Sequence, residues 1–217
     1  MSIRVFLVDD HAVVREGLRL ILERERDMSV IGEAGSGRQA VRQVEQLNPD
    51  VVIMDIALPE LNGFEATRQI TRLCPSTRVV ILSMYSTAEQ VFLALQAGAL
   101  GYVLKDVAGQ EVVKAIRKVY AGCRYLSQQI SETVITDYLK RRGATEVKSP
   151  LEQLTLRERE ILQLVVEGKT SAEIAKILYI SPKTVETYRS KLMSKLGIHD
   201  IPGLVKFAIQ NGLTPLK

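Results

Sequence analysis

Ile3-Arg4-Val5-Phe6-Leu7-Val8-Asp9-Asp10 opens the chain with a short apolar run that ends in two acids. Val51-Val52-Ile53-Met54-Asp55 repeats the pattern, an apolar run rich in branched residues and then a carboxylate. Short, nearly continuous runs of Val, Ile and Leu are how strands buried on both faces of a parallel sheet read. Working outward, residues 28–32, 79–82 and 101–104 are three more such runs. Between the runs, residues 12–23, 37–47, 63–73, 88–97 and 111–120 carry apolar side chains at helical spacing. Five strand–helix units predict an α/β fold with a five-stranded, doubly wound parallel sheet. In that topology polar residues at the C-terminal ends of the strands converge on one edge.

The alternation stops at Cys123. Residues 130–142 read as one more helix, and the polar, aperiodic stretch from Gly143 to Pro150 has the composition of a linker. The expected domains are therefore 1–122, a linker with its helix at 123–150, and a smaller all-α domain at 151–217. Four helices are marked in that last domain. Thr155 with Glu158 and Thr170 with Glu173 are spaced as capping boxes, and Ser181-Pro182 fits an N-cap with proline at the first helical position. Gly168 and Gly197 fit helix stops, and Asp200 can cap a last helix running to about Gln210.

The chain has 217 residues, room for two domains, with 46% hydrophobic and 25% charged side chains. That balance excludes collagen-like and disordered classes. No apolar run approaches the roughly 20 residues of a membrane helix, and no leader-like apolar core precedes Asp9. A cytoplasmic protein with no membrane partner is expected. Cys74 and Cys123, with His11 and His199, show no metal-ligand spacing, which argues against a zinc site. The net charge of +4 is uneven: 15 basic against 15 acidic residues in 1–131, 4 against 3 in 132–149, and 10 against 7 in 150–217. A basic C-terminal module favours a polyanionic partner.

The strand ends carry the chemistry. Asp9 and Asp10 after the first strand and Asp55 after the third would repel one another unless a cation lay among them. Hard oxygen donors suit Mg²⁺ or Mn²⁺. Ser83 ends the fourth strand and Lys105 follows the fifth. A carboxylate nucleophile, a divalent cation, a hydroxyl and an ammonium together fit phosphoryl transfer to Asp55. Each residue alone has an ordinary explanation as a cap, a loop hydroxyl or a surface charge. Their common placement at one sheet edge is the specific signal.

Residues 1–122 resemble the receiver domain of bacterial two-component response regulators. The likeness rests on Val8-Asp9-Asp10, Met54-Asp55-Ile56 with Leu58-Pro59 and Asn62-Gly63, Leu82-Ser83, Gly98-Ala99, and Gly101-Tyr102-Val103-Leu104-Lys105. The resemblance implies that Asp55 is the phosphoacceptor and that Asp10, Asp55 and the Ala57 carbonyl ligate Mg²⁺. Asp9 would hold the metal's water, Ser83 and Lys105 would contact the phosphoryl group, and Ser83 with Tyr102 would form the switch. Many receivers have proline, after a cis peptide, where this chain has Asp106; a cis Lys105-Asp106 bond, costing about 3 kcal/mol, is not assumed.

Residues 171–190 have helix–turn–helix proportions. Leu154-Thr155-Leu156-Arg157-Glu158-Arg159-Glu160, Ile174-Ala175, Ser181-Pro182-Lys183-Thr184-Val185 and Lys195-Leu196-Gly197-Ile198 resemble the LuxR-type helix–turn–helix. The two domains together resemble a NarL/FixJ-type response regulator. The second helix would read double-stranded DNA, with Lys183, Thr184, Glu186, Thr187, Arg189, Ser190 and Lys191 as contacts. Arg189 is open between phosphate and an internal ion pair with a glutamate of the first helix. Ile201, Leu204, Val205 and Ala208 form a stripe that the resemblance makes a homodimer contact. The implied protein is a transcription regulator, not an enzyme, controlled by a cognate histidine kinase. Two rivals are a Mg²⁺-dependent phosphatase, whose usual Asp-x-Asp is missing, and a ligand-gated LuxR-type regulator, against which the acidic constellation argues. A DNA binder indifferent to phosphorylation is a variant of the main reading.

Overall fold

The computed structural model describes residues 2–141, 150–211 and 213. Contacts divide the chain into two compact units, 1–145 and 146–217. The first alternates β1 (Ile3–Val8), α1 (Ala12–Leu22), β2 (Met28–Ala34), α2 (Gly37–Leu47), β3 (Val51–Asp55), α3 (Gly63–Leu73), β4 (Arg78–Ser83), α4 (Ala88–Gln96), β5 (Gly101–Leu104) and α5 (Ala108–Tyr120). Then come β6 (Tyr125–Leu126) and α6 (Gln128–Arg141). All strand pairs are parallel and the order is β2-β1-β3-β4-β5-β6. The order reverses between β1 and β3, and the crevice past the strand ends at such a point is where this architecture takes ligands.

The sheet has six strands, not five. β6 is two residues long, too short to leave a periodic signal, and lies in the stretch read as the start of the linker. Backbone bonds hold it: Tyr125 N donates to Leu100 O at 2.9 Å and Ser127 N to Tyr102 O at 3.1 Å. The helix expected at 130–142 begins at Gln128 and packs on α4. Residues 142–149, the polar part of the expected linker, lie outside the described residues.

Alternate strand positions face opposite sides of the sheet. Val5, Leu7, Val51, Ile53, Val80 and Leu82 pack with Leu18 and Leu22 of α1 and Val112, Ile116 and Val119 of α5. Phe6, Val52, Met54 and Ile81 are equally buried, on the side covered by α2, α3 and α4. Each such side chain contributes about 1.5–3 kcal/mol by leaving water. This two-sided burial is why the strands read as continuous apolar runs.

Gly63 fixes the loop beyond β3. A Cβ there would lie 1.9 Å from the Asp55 carbonyl oxygen, so a larger residue cannot start α3 against the strand end. Gly63 N donates to Ile56 O at 2.9 Å, and Asn62 Oδ1 caps α3 by accepting from Glu65 N at 3.0 Å. The loop is thereby folded back over the end of β3.

In the second unit a 3₁₀ turn (Pro150–Gln153) leads into α7 (Leu156–Val166), α8 (Ser171–Leu178), α9 (Pro182–Leu196) and α10 (Ile201–Gln210). Both capping boxes close, Ser181 Oγ accepts from Thr184 N at 3.1 Å, and Asp200 Oδ1 accepts from Gly203 N at 2.7 Å. Gly197 ends α9 at φ +65°, the left-handed conformation that favours glycine. Ile161, Leu162, Leu164, Ile174, Val185, Leu192, Leu204 and Ala208 are buried. Two polar ties fix α7 to the helix pair: Arg157 Nη2 donates to Leu178 O at 2.7 Å, and Lys195 Nζ meets buried Glu158 at 2.6 Å.

Leu204 and Ala208, expected as dimer contacts, have no solvent-exposed surface and belong to the core of their own domain, where α10 packs on α7. Ile201 and Val205 remain at the surface, beside Pro202, Lys206 and Ile209.

Candidate functional site

The strand ends bring Asp9, Asp55, Ser83 and Lys105 to one edge. Asp9 and Asp55 are 1% and 4% exposed. The Lys105 ammonium lies between them, 2.6 Å from Asp9 Oδ2 and 2.8 Å from Asp55 Oδ2. Asp55 Oδ1 accepts the Ile56 N–H at 2.7 Å. Burial pushes the Asp55 carboxyl above its ordinary range; Lys105 pulls it down and Asp9 pushes it further up, leaving it raised. Burial works against the charge of Lys105, yet the two carboxylates outweigh it and hold the ammonium above its usual value. Lys105 opens a 3₁₀ turn (Lys105–Val107), and no peptide among the described residues is cis, so Lys105-Asp106 is trans.

Asp10 stands outside this buried pair, its side chain 30% exposed. His11 spans the two acids that follow β1: its Nδ1 is 2.7 Å from Asp10 Oδ1 and 3.2 Å from Asp9 Oδ1. Arg15, one turn into α1, donates from Nη1 to Asp9 O at 2.7 Å. Ala57 lies in the loop after β3, half-buried.

Ser83 is fully buried and its Oγ accepts from Tyr85 N at 3.1 Å. The Tyr102 hydroxyl, also buried, donates to Tyr85 O at 2.8 Å. Burial raises the Tyr102 phenol far above its ordinary value, so it stays a hydrogen-bond donor at any working pH. Ser83 and Tyr102 thus both bond the backbone of Tyr85, and their side chains also meet directly.

On α9, Lys183, Glu186, Thr187, Ser190 and Lys191 are exposed, while Thr184 and Arg189 are half-buried. Thr184 Oγ1 and Ser181 Oγ are 2.8 Å apart, and Thr187 Oγ1 donates to Lys183 O at 3.0 Å. Arg189 does not pair with a glutamate of the preceding helix. It meets Glu186 of its own helix at 3.5 Å and donates to Ser171 Oγ at 3.0 Å; Ser171 also bonds Glu186. Charge and hydroxyl at the start of α8 satisfy one another there.

Two family models cover the units in turn. The response regulator receiver domain matches residues 5–117, and the model described as bacterial regulatory proteins, luxR family, matches residues 152–208. The response regulator UvrY of Escherichia coli (strain K12) is 39% identical over 211 residues, 97% of this chain and 95% of UvrY. The chain belongs to the two-component response regulators. The DNA-binding transcriptional activator DevR/DosR of Mycobacterium tuberculosis is 41% identical to this regulator over 196 residues, 90% of this chain and 89% of that one. A solved RcsB–DNA complex aligns at TM-score 0.59 and 26% identity, over 95% of this regulator and 98% of that chain. The regulator is a DNA-binding transcription regulator with a LuxR-type helix–turn–helix.

Sequence reasoning missed His11, Arg15 and Tyr85 in this response regulator. His11 and Arg15 had a usable signal, the first following the acid pair directly and the second one helical turn beyond it. Tyr85 acts through its backbone, which side-chain identity cannot reveal.

Proposed function

We propose that this response regulator is switched by phosphorylation of Asp55, and that the switch controls DNA binding through α9. The observation that carries the reading is the pairing of two buried carboxylates with one ammonium at the β1–β3 crevice, beside the Ser83 hydroxyl. Oxygen donors that already hold one positive charge between Asp9 and Asp55 fit a hard divalent cation. Asp10, Asp55 and the Ala57 carbonyl would ligate Mg²⁺, with Asp9 holding its water, and the ion would neutralise charge on the phosphoryl oxygens.

A carboxylate oxygen of Asp55 attacks phosphorus of a phosphohistidine on the partner kinase; the P–O bond forms, the P–N bond breaks, and the imidazole leaves. Lys105 follows the new charge from carboxylate to phosphoryl oxygen. Ser83 donates its O–H to another phosphoryl oxygen, which pulls on Tyr85 and frees Tyr102. Lys183 and Lys191 meet phosphates, and Thr184, Thr187 and Ser190 face base edges from the major groove. Glu186 and Arg189 enter the interface by releasing Ser171. The regulator works in the cytoplasm. Two copies join through the apolar surface at Ile201 and Val205 and bind half-sites about one helical turn apart.

Intact-mass analysis after incubation with Mg²⁺ and acetyl phosphate tests this. One added phosphoryl group that needs Mg²⁺ and is absent from Asp55→Asn is expected. No adduct on a protein that binds Mg²⁺ refutes phosphorylation of Asp55 as the switch.

A further inference from the structure

We propose that His11 sets which divalent cation the acidic site takes, favouring Mn²⁺ and similar borderline ions over Mg²⁺ by supplying a nitrogen ligand. The inference rests on the phosphoacceptor reading of Asp9, Asp10 and Asp55. Among the described residues, one donor atom each from Asp9, Asp10 and His11 lie within 4.8 Å of one another. The imidazole is 68% exposed, whereas Asp9 is almost wholly buried and its Oδ2 lies 2.6 Å from the Lys105 ammonium. The acid is held by Lys105, and the ring lies at the surface against both carboxylates.

His11 stands at the start of α1. It is the N-cap residue of α1, yet its side chain makes no capping bond. Ser, Thr, Asp and Asn are the residues that cap helices with their side chains. Its backbone N–H binds Asp9 Oδ1 at 2.9 Å, and its ring is given to the two carboxylates. The ring nitrogen therefore shares its partners with any cation bound to them. Mg²⁺ prefers oxygen and keeps its waters, so it gains nothing from imidazole. A borderline ion takes the neutral ring as a ligand once the proton sits on Nε2.

The test uses full-length wild type, His11→Ala and Asp10→Asn, with Mn²⁺ or Mg²⁺ alone as probe. Affinities are measured by calorimetry, and Mn²⁺ samples by pulsed electron paramagnetic resonance. The expected result is nitrogen modulation in Mn²⁺-loaded wild type that is lost in His11→Ala. Mn²⁺ affinity should fall about tenfold in that variant, with Mg²⁺ affinity no weaker. Bound Mn²⁺ without nitrogen modulation, or equal loss of both ions, overturns the role of His11 and leaves the phosphoacceptor reading intact. Failure of both ions to bind wild type, or binding unchanged in Asp10→Asn, overturns both.

Discussion

Gly63→Ala isolates the loop that places Asp55. The new Cβ would meet the Asp55 carbonyl oxygen at 1.9 Å, its carbon at 2.8 Å and Ile56 Cα at 2.9 Å, all backbone atoms that cannot rotate away. Ordinary contact begins near 3.4 Å, so α3 and the strand end must part by about 1.5 Å. Overpacking of this kind costs about 1–3 kcal/mol. Parting also breaks the bond from Gly63 N to Ile56 O and strains the Asn62 cap, about 1 kcal/mol more. A total near 3 kcal/mol lowers the melting temperature of the first unit by about 10 °C and slows acetyl-phosphate labelling of Asp55. Gly17→Ala is the control: it lies inside α1 with nothing within 4 Å of the added carbon, and should stabilise by about 0.5–1 kcal/mol. Melting curves by circular dichroism and mass-detected phosphorylation read both. A Gly63→Ala protein that melts within about 2 °C of wild type and labels at the wild-type rate refutes the steric argument.

Three further outcomes are expected. Because the Asp55 pKa is raised in the fold, its stabilising effect is full below the ordinary value of 3.8 and is lost as pH rises through the folded value. Asp55→Asn should therefore melt higher than wild type in chelator at neutral pH, the gap closing on acidification; a lower melting point sinks the idea. Burial pushes Glu158 up, but Lys195 and Thr155 outweigh it and hold the carboxyl below 4.5, so its contribution is present above that value and lost as pH falls through the folded one. Glu158→Gln should cost the second unit about 1–2 kcal/mol at pH 7 and flatten its acid unfolding, as read by chemical denaturation across pH. Lys183→Ala and Lys191→Ala should each reduce the salt slope of duplex binding by about 1, measured by fluorescence anisotropy on a labelled duplex; an unchanged slope removes that lysine from the phosphate contacts.

Much of this molecule was legible because two-sided burial writes itself into composition. β1 and β3 are apolar almost without interruption, and the residue where each run breaks is an acid of the strand-end cluster. What sequence could not supply was pairing. Tyr125 and Leu126 form a strand only because β5 offers backbone partners, and nothing in two residues announces that. The stripe on α10 was visible, but a stripe does not say what covers it; α7 takes Leu204 and Ala208. Arg189 and Glu186 lie three apart on α9, a spacing that favours their pairing, and Ser171 joins them only in the folded helix pair. His11 follows the acid pair directly, but its spacing to Cys74, Cys123 and His199 carries no metal-ligand pattern.

The backbone of Tyr85 holds two hydroxyls at once. Two neutral hydrogen bonds hold Ser83 and Tyr102 in the resting arrangement, each worth about 1 kcal/mol net. Losing both without replacement would correspond to a bias of about thirtyfold toward that arrangement. Under the proposed phosphorylation switch, the unlabelled protein would therefore carry a small basal signal, set by these bonds rather than by the kinase.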